Sequence, residues 1–152
     1  MVLDLFQRDF GTTRVASADA EFDLEEMPVF VAIVKRDQLA GALGYRLTED
    51  ALQMLALATD PMWQRSGVGG HLVDEAERVA TEQGRRRAWL TTSNDNLPAL
   101  YFYQRHGYHI TQVTPGKLVP RSEGRPGFAG IAVRDEIRLE KALDAASVRS
   151  TD

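Results

Sequence analysis

Gln64-Arg65-Ser66-Gly67-Val68-Gly69-Gly70 decides how this chain reads. An apolar run over residues 52–59 precedes it with the length and composition of a strand, and a helical pattern over 68–80 follows it. A glycine-rich passage from strand to helix aims backbone N–H groups at one point, with the positive end of the helix dipole behind them. Such a point binds phosphate-type anions. Glycine is needed where a side chain would block the anion's approach, or where the turn uses positive φ. An ordinary strand-to-helix turn uses similar residues, so the flanking sequence must separate the two readings.

Two familiar phosphate loops do not fit. A nucleoside-triphosphate loop ends in Gly-Lys-Ser/Thr, whereas Gly69-Gly70 is followed by His71-Leu72. A dinucleotide fingerprint needs a third glycine where Leu72 stands. What fits is Gln-x-x-Gly-x-Gly, with Asp60-Pro61-Met62-Trp63 just upstream. This resembles the pyrophosphate loop of the GNAT superfamily, the acyl-CoA-dependent N-acetyltransferases. The run from Asn96 through Phe102-Tyr103 to Gly107-Tyr108 carries the same resemblance. There the family has an Asn opening a short helix, an aromatic pair two turns on, then Gly and an aromatic. Both signatures stand in the family's order with a strand between them, and the resemblance covers residues 28–113.

Outward from the glycine stretch, the pattern divides into short elements. Val29-Phe30-Val31-Ala32-Ile33-Val34 reads as a buried strand, Arg36-Asp37-Gln38 as a turn, and 39–47 as a second strand. Thr48-Glu49-Asp50 is a second turn before 52–59, so the three strands predict an antiparallel meander. The helix after Gly67 places Val68, Leu72, Ala76, Val79 and Ala80 on one face. Asp74, Glu75, Glu77, Arg78 and Glu82 fall on the other, and Gly84 is expected as a left-handed stop. Residues 87–92 read as a strand, and 96–106 as a helix with Pro98 in its first turn and Gly107 as its end. Residues 108–113 and 130–139 read as the last strands. Earlier in the chain, 2–10 is expected as a short helix, 12–16 as a strand and 19–27 as a helical turn. The stretch 114–129 is a long loop rich in Pro and Gly, with Lys117, Arg121 and Arg125; loops of that length are functional or disordered. With its neighbours Arg134-Asp135-Glu136, it resembles a subgroup of bacterial members of the superfamily.

The predicted fold class is α/β, a GNAT-like mixed, mainly antiparallel sheet flanked by helices. It forms a single N-acetyltransferase domain over 1–140, followed by a polar tail over 141–152. A chain of 152 residues with 43% hydrophobic content can build one proper core. Net charge is −4, which gives no basic face for nucleic acid. With no cysteine there is no disulfide framework, thiolate nucleophile or thiolate metal site. His71, His106 and His109 do not share a helix face, so no metal is expected. No run approaches the ~20 apolar residues of a membrane span. Residues 1–5 show no signal peptide, and a cytoplasmic protein is expected.

The resemblance implies acetyl-CoA as co-substrate and an amine as acceptor, with no nucleic acid or membrane partner; a homodimer is left open. It assigns the CoA pyrophosphate to Gln64, Arg65, Ser66, Gly67, Val68, Gly69 and Gly70. The pantetheine arm goes to main-chain groups of Leu57, Ala58 and Thr59, with a β-bulge near Leu57. Asn96 reads equally as a helix N-cap and as a pantetheine contact. Tyr103 reads as the acid that protonates the departing thiolate, or as a core aromatic. Some relatives place a glutamate base where Thr91 stands here; Asp135 and Glu136 are the substitutes and would line the acceptor side, unless they are solvated strand residues. Arg85-Arg86-Arg87 would either reach a CoA phosphate or sit solvated at a helix end. Functionally, the chain reads as an acetyltransferase acting on a small, amphoteric amine. The other reading is a non-catalytic acyl-CoA-binding module.

Overall fold

The protein, seen in a computed structural model, is described for residues 14–17, 20–23, 28–34, 38–60, 62, 66–122 and 125–144. The expected helix over 2–10, Gln64, Arg65 and the end of the tail lie outside the described residues. The architecture is α/β, a mixed, mainly antiparallel sheet flanked by helices. The chain divides into two compact units, Met1–Ala88 with Ala142–Asp152, and Trp89–Lys141.

In the first unit, β1 (Arg14–Ser17) and β2 (Ala20–Asp23) form an antiparallel pair. A strand over 20–23 therefore replaces the helical turn expected over 19–27. Strands β3 (Val29–Val34), β4 (Gln38–Leu47) and β5 (Ala51–Thr59) form the predicted meander. The turn between β4 and β5 closes through Thr48, whose N–H donates to Ala51 O at 2.8 Å. Helix α1 (Val68–Glu82) packs across these strands. It buries Val68, Leu72, Val73, Ala76 and Ala80, and the Val and Leu side chains contribute about 1.5–3 kcal/mol each. Gly41 makes the contact close: a Cβ there would lie 2.8 Å from Val68 Cγ1, 3.0 Å from Ala58 O and 3.2 Å from Leu72 Cδ1. Glu77, expected on the solvent face, is buried instead, and Val79, expected inside, is half-buried. The apolar stripe is centred nearer Val73 than the apolar residues alone suggest. On the outer face, Arg78 bridges Glu75 and, at 2.7 Å, Glu82. That contact holds the exposed Glu75 carboxyl below its usual value, with little effect on stability.

Helix α1 ends in a double hydrogen bond around a left-handed glycine. Gly84 (φ 81) donates to Thr81 O at 3.0 Å, and Arg85 N donates to Ala80 O at 2.9 Å. This is the expected stop.

The second unit contains most of β6 (Arg87–Ser93), then α2 (Leu97–Arg105), β7 (His109–Thr114), a single helical turn (Val119–Ser122) and β8 (Glu136–Ala142). Strand order here is β6-β8-β7, and β7 pairs antiparallel with β8 from His109↔Glu140 to Thr114↔Glu136. The last strand is thus displaced from the expected 130–139. Glycines, a lone bridge between Pro126 and Ala132, and side-chain hydrogen bonds occupy the stretch before it. At its far end β8 reaches Ala142, and Leu143 is buried with its N–H donating to Arg86 O at 2.7 Å. The chain therefore stays packed beyond residue 141, where a polar tail was expected, because Leu143 supplies apolar surface. Trp89 on β6 is covered by Arg138, whose Cζ lies 3.8 Å from the ring centroid.

Candidate active site

The glycine turn begins with Ser66 and Gly67. Gly67 caps α1 in the left-handed region (φ 88, ψ 2), with no side-chain cap and no acidic residue in the first turn. Among the described residues, His71 N is the first amide of the helix to find a backbone acceptor, donating to Gly67 O at 3.0 Å. The amides of Val68, Gly69 and Gly70 are therefore the open N–H groups of a helix start, in a field that favours an anion. Two different demands for glycine separate onto different residues. Nothing lies within 4 Å of a Cβ added at Gly67, so its requirement is the positive φ. Gly69 and Gly70 sit inside the first helical turn and are not among the positive-φ glycines, so what they offer is the lack of a side chain over the open amides. Val68 gives only its backbone, since its side chain is buried in the core.

Leu57, Ala58 and Thr59 end β5 opposite Leu43, Ala42 and Gly41. The register shifts between Gly44 and Tyr45, leaving Leu55 as the extra residue on β5. The bulge expected near Leu57 thus lies two residues earlier. Beyond the strand, Asp60 N donates to Ala40 O at 2.7 Å, and Asp60 Oδ1 accepts from Met62 N at 3.0 Å. The basic run at the far end of α1 is engaged locally: Arg85 Nη1 donates to Gln83 O at 2.7 Å, and Arg87 Nε lies 3.6 Å from Asp50 Oδ2.

In the second unit, Asn96 caps α2. Its Oδ1 accepts from Ala99 N at 3.2 Å, with Pro98 in the first turn. Its Nδ2 has no partner among the described residues. Two turns on, Tyr103 is the one buried residue of α2, at 6% exposure. Phe102 meets it edge-on at 5.0 Å between centroids, and Tyr108 does so at 5.5 Å. The helix end places that second ring. Gly107 (φ 89) donates to Gln104 O, and Tyr108 N donates to Tyr103 O at 3.0 Å, which folds Tyr108 back over Tyr103. Burial raises the Tyr103 phenol well above the usual tyrosine range. The hydroxyl has no hydrogen-bond partner among the described residues, so Tyr103 is at once a packed aromatic and an unclaimed proton donor.

The turn joining β6 to α2 holds two residues whose part the sequence reading missed. Asn94 Oδ1 accepts from Arg134 N (2.9 Å) and Asp135 N (3.0 Å), while its Nδ2 donates to Ala132 O (3.0 Å). Asp95 is 8% exposed. Its Oδ1 accepts from Ser93 Oγ, and its Oδ2 accepts from Phe128 N at 2.9 Å. The signal was present in Ser93-Asn94-Asp95, side chains that bond nearby backbone, but nothing local says which distant amides they take. Asp135 and Glu136 also have partners: Asp135 Oδ1 accepts from Gly116 N at 2.8 Å, and Glu136 pairs with Lys117 at 2.9 Å. Among the described residues of the stretch 114–129, Gly116 and Lys117 are thereby tied to the start of β8. Among the described residues, no group of His, Asp and Glu is arranged to hold a metal ion, and no helix is long and apolar enough to cross a membrane.

The model of the acetyltransferase (GNAT) family matches residues 1–108. Over 149 residues the chain is 29% identical to the uncharacterized protein YdhI of Bacillus subtilis (strain 168), spanning 95% of this chain and 92% of that protein. Streptothricin acetyltransferase of Streptomyces lavendulae is 31% identical over 109 residues, 70% of this chain and 57% of that one. Among solved structures, a Bacillus subtilis acetyltransferase in complex with CoA matches with a TM-score of 0.71 at 26% identity, covering 79% of each chain.

Proposed function

Because the chain belongs to the acetyltransferase (GNAT) family, we propose that it moves an acetyl group from acetyl-CoA to the amine of a small acceptor. The observation that carries this reading is the start of α1: open amides at Val68, Gly69 and Gly70 behind a left-handed Gly67, with no acidic residue to compete. A pyrophosphate suits that site, together with Ser66, Gln64 and Arg65. Main-chain groups of Leu57, Ala58 and Thr59 take the pantetheine arm, and Asn96 Nδ2 donates to it while Oδ1 remains the helix cap. The CoA seen in the similar Bacillus subtilis structure supports the co-substrate. The family match runs from the first unit into the second as far as residue 108, which supports reading 1–140 as one acetyltransferase domain. An intracellular co-substrate supports a cytoplasmic protein.

In the reaction, the amine nitrogen attacks the thioester carbonyl carbon. A C–N bond forms, the C–S bond breaks, the thiolate takes the Tyr103 phenolic proton, and the proton shed by the nitrogen passes to water, from which the phenolate is reprotonated. Positioning supplies much of the rate. The amine must enter uncharged. Thr91 cannot accept a proton at neutral pH, and Asp135 and Glu136 are both tied into the loop. This favours an acceptor that deprotonates in water unaided. The α-amino group of an amino-acid amide or short peptide, with a pKa of about 7.7–8.0, does so far more readily than a lysine amine at about 10.4. The proposed acceptor is therefore a small amphoteric amine of amino-acid type. A screen of small amines with acetyl-CoA, read by product mass and released thiol, tests this. Binding of acetyl-CoA without thiol release from any amine would mark a binding module instead.

A further inference from the structure

The segment Gly127–Gly130 departs from the local rules for a stable loop tip at Phe128 and Ala129. Ala129 is left-handed (φ 55, ψ 26), the one non-glycine residue with positive φ among those described. Such a conformation costs about 1–2 kcal/mol, which glycine would avoid. Gly127 is pressed so tightly on Asp95 that a Cβ would overlap the carboxylate. Asp95 is itself a buried carboxylate committed to the Phe128 amide. These costs hold in place a phenylalanine that remains 49% exposed. A polar residue at 128 and a glycine at 129 would make a more stable loop. Strain and exposed apolar surface kept in place by surrounding structure mark a ligand contact.

The tip is fixed from several directions within one unit. Asn94 holds Ala132, Arg134 and Asp135, Ser122 Oγ donates to Val133 O at 3.1 Å, and Gly127 N donates to Ile131 O at 2.8 Å. Asn94 and Asp95, which make the longest-range of these bonds, form the turn directly before Asn96, the helix cap assigned above to the pantetheine arm. Phe128 is therefore held against the same turn as a group of the reaction site, as a fixed wall.

Resting on the acetyltransferase reading, we propose that Phe128 is a specificity-determining residue for the acceptor. Its ring is the surface on which an apolar or aromatic side group of the amine lies. Asp95 is its positioning residue, acting through the bond to Phe128 N. The acceptor class is thereby an amine of amino-acid type with an apolar or aromatic side group.

The test uses the full chain, acetyl-CoA and a size-matched panel of α-amino compounds with aromatic, aliphatic and polar side groups, followed by thiol release. Phe128→Ala is expected to raise KM for aromatic and aliphatic members about tenfold or more, with a smaller shift for polar ones. The KM for acetyl-CoA should not follow. Asp95→Ala should reproduce the same selective shift, and Asp95→Asn, which keeps an acceptor for the Phe128 amide, should restore most of it. A Phe128→Ala profile matching wild type, or KM shifts equal for all side groups, would overturn the inference while leaving the acetyltransferase reading intact. So would a change in oligomeric state with an unchanged acceptor profile, which would make the tip an interface. Failure of the wild-type protein to acetylate any amine, with acetyl-CoA still bound, would overturn the amine reading and this inference with it.

Discussion

Tyr103 packs as an aromatic ring, and a single atom separates that packing from the proton donation proposed for it. Tyr103→Phe keeps the ring contacts with Phe102 and Tyr108 and removes the proton donor. Turnover is expected to fall about 10²–10⁴-fold, the range for a lost general acid, while acetyl-CoA affinity measured by titration stays near wild type. An unchanged rate in single-turnover measurements would leave Tyr103 as packing alone. Its pH behaviour follows from burial. The folded-state pKa is raised above the ordinary 10.0, so the contribution to stability is complete below that value and lost as pH rises towards the folded pKa. The phenol accordingly remains a donor at pH values where an exposed tyrosine ionises. Denaturant titrations should show wild type losing stability above that pH more steeply than Tyr103→Phe. At Asn96, replacement by Asp preserves the oxygen that accepts from Ala99 N and removes the Nδ2 donor. Weaker acetyl-CoA binding at unchanged melting temperature is expected; equal binding would leave only the cap.

At the level of elements, the glycines set how close α1 comes to its sheet and to its ligand. Gly69 lies inside the first turn without positive φ, so Ala there should stabilise the ligand-free protein by up to about 1 kcal/mol. The same methyl group crowds the open amides. Gly69→Ala should raise the melting temperature without ligand and shrink the rise that acetyl-CoA brings, opposite signs that loss of folding cannot mimic. Gly41→Ala acts from the other side. Its Cβ would meet Val68 Cγ1 at 2.8 Å and Ala58 O at 3.0 Å, displacing the helix start or the strand end. A loss of about 1–3 kcal/mol is expected from overpacking, with weakened acetyl-CoA binding, although position 41 is not among the residues assigned to the cofactor. Intact binding in a folded Gly41→Ala protein would show that the helix start tolerates the displacement.

For the whole molecule, ligand linkage gives a direct readout. Acetyl-CoA at a hundred times its dissociation constant should stabilise the folded state by about 2.7 kcal/mol. For a chain of this size that raises the melting temperature by roughly 2–4 °C per kcal/mol. ATP at equal concentration should give a smaller shift, because His71-Leu72 follow Gly69-Gly70 where a triphosphate loop needs Lys and Ser/Thr. Equal shifts with ATP would move the site from acyl transfer to nucleotide binding.

Local pattern alone determined the meander, both helices and their left-handed stops at Gly84 and Gly107, because periodicity and turn chemistry act over a few residues. The paired signatures at Gln64–Gly70 and Asn96–Tyr108 pointed to acyl transfer for the same reason, since their spacing is measured along the chain. Only the tertiary structure decided the rest. That Gly41 yields space to α1, that Glu77 is buried, and that Leu55 is the bulged residue all depend on elements brought together from distant parts of the chain. Asn94 and Asp95 drew no notice in the sequence, and only the fold shows their oxygens on the Arg134, Asp135 and Phe128 amides more than thirty residues away. Asp135 and Glu136 read as candidate bases, and only the fold shows that Gly116 N and Lys117 Nζ bond them. Side-chain hydrogen bonds across such loops are set by where the fold places the partners, and no pattern along the chain encodes that distance.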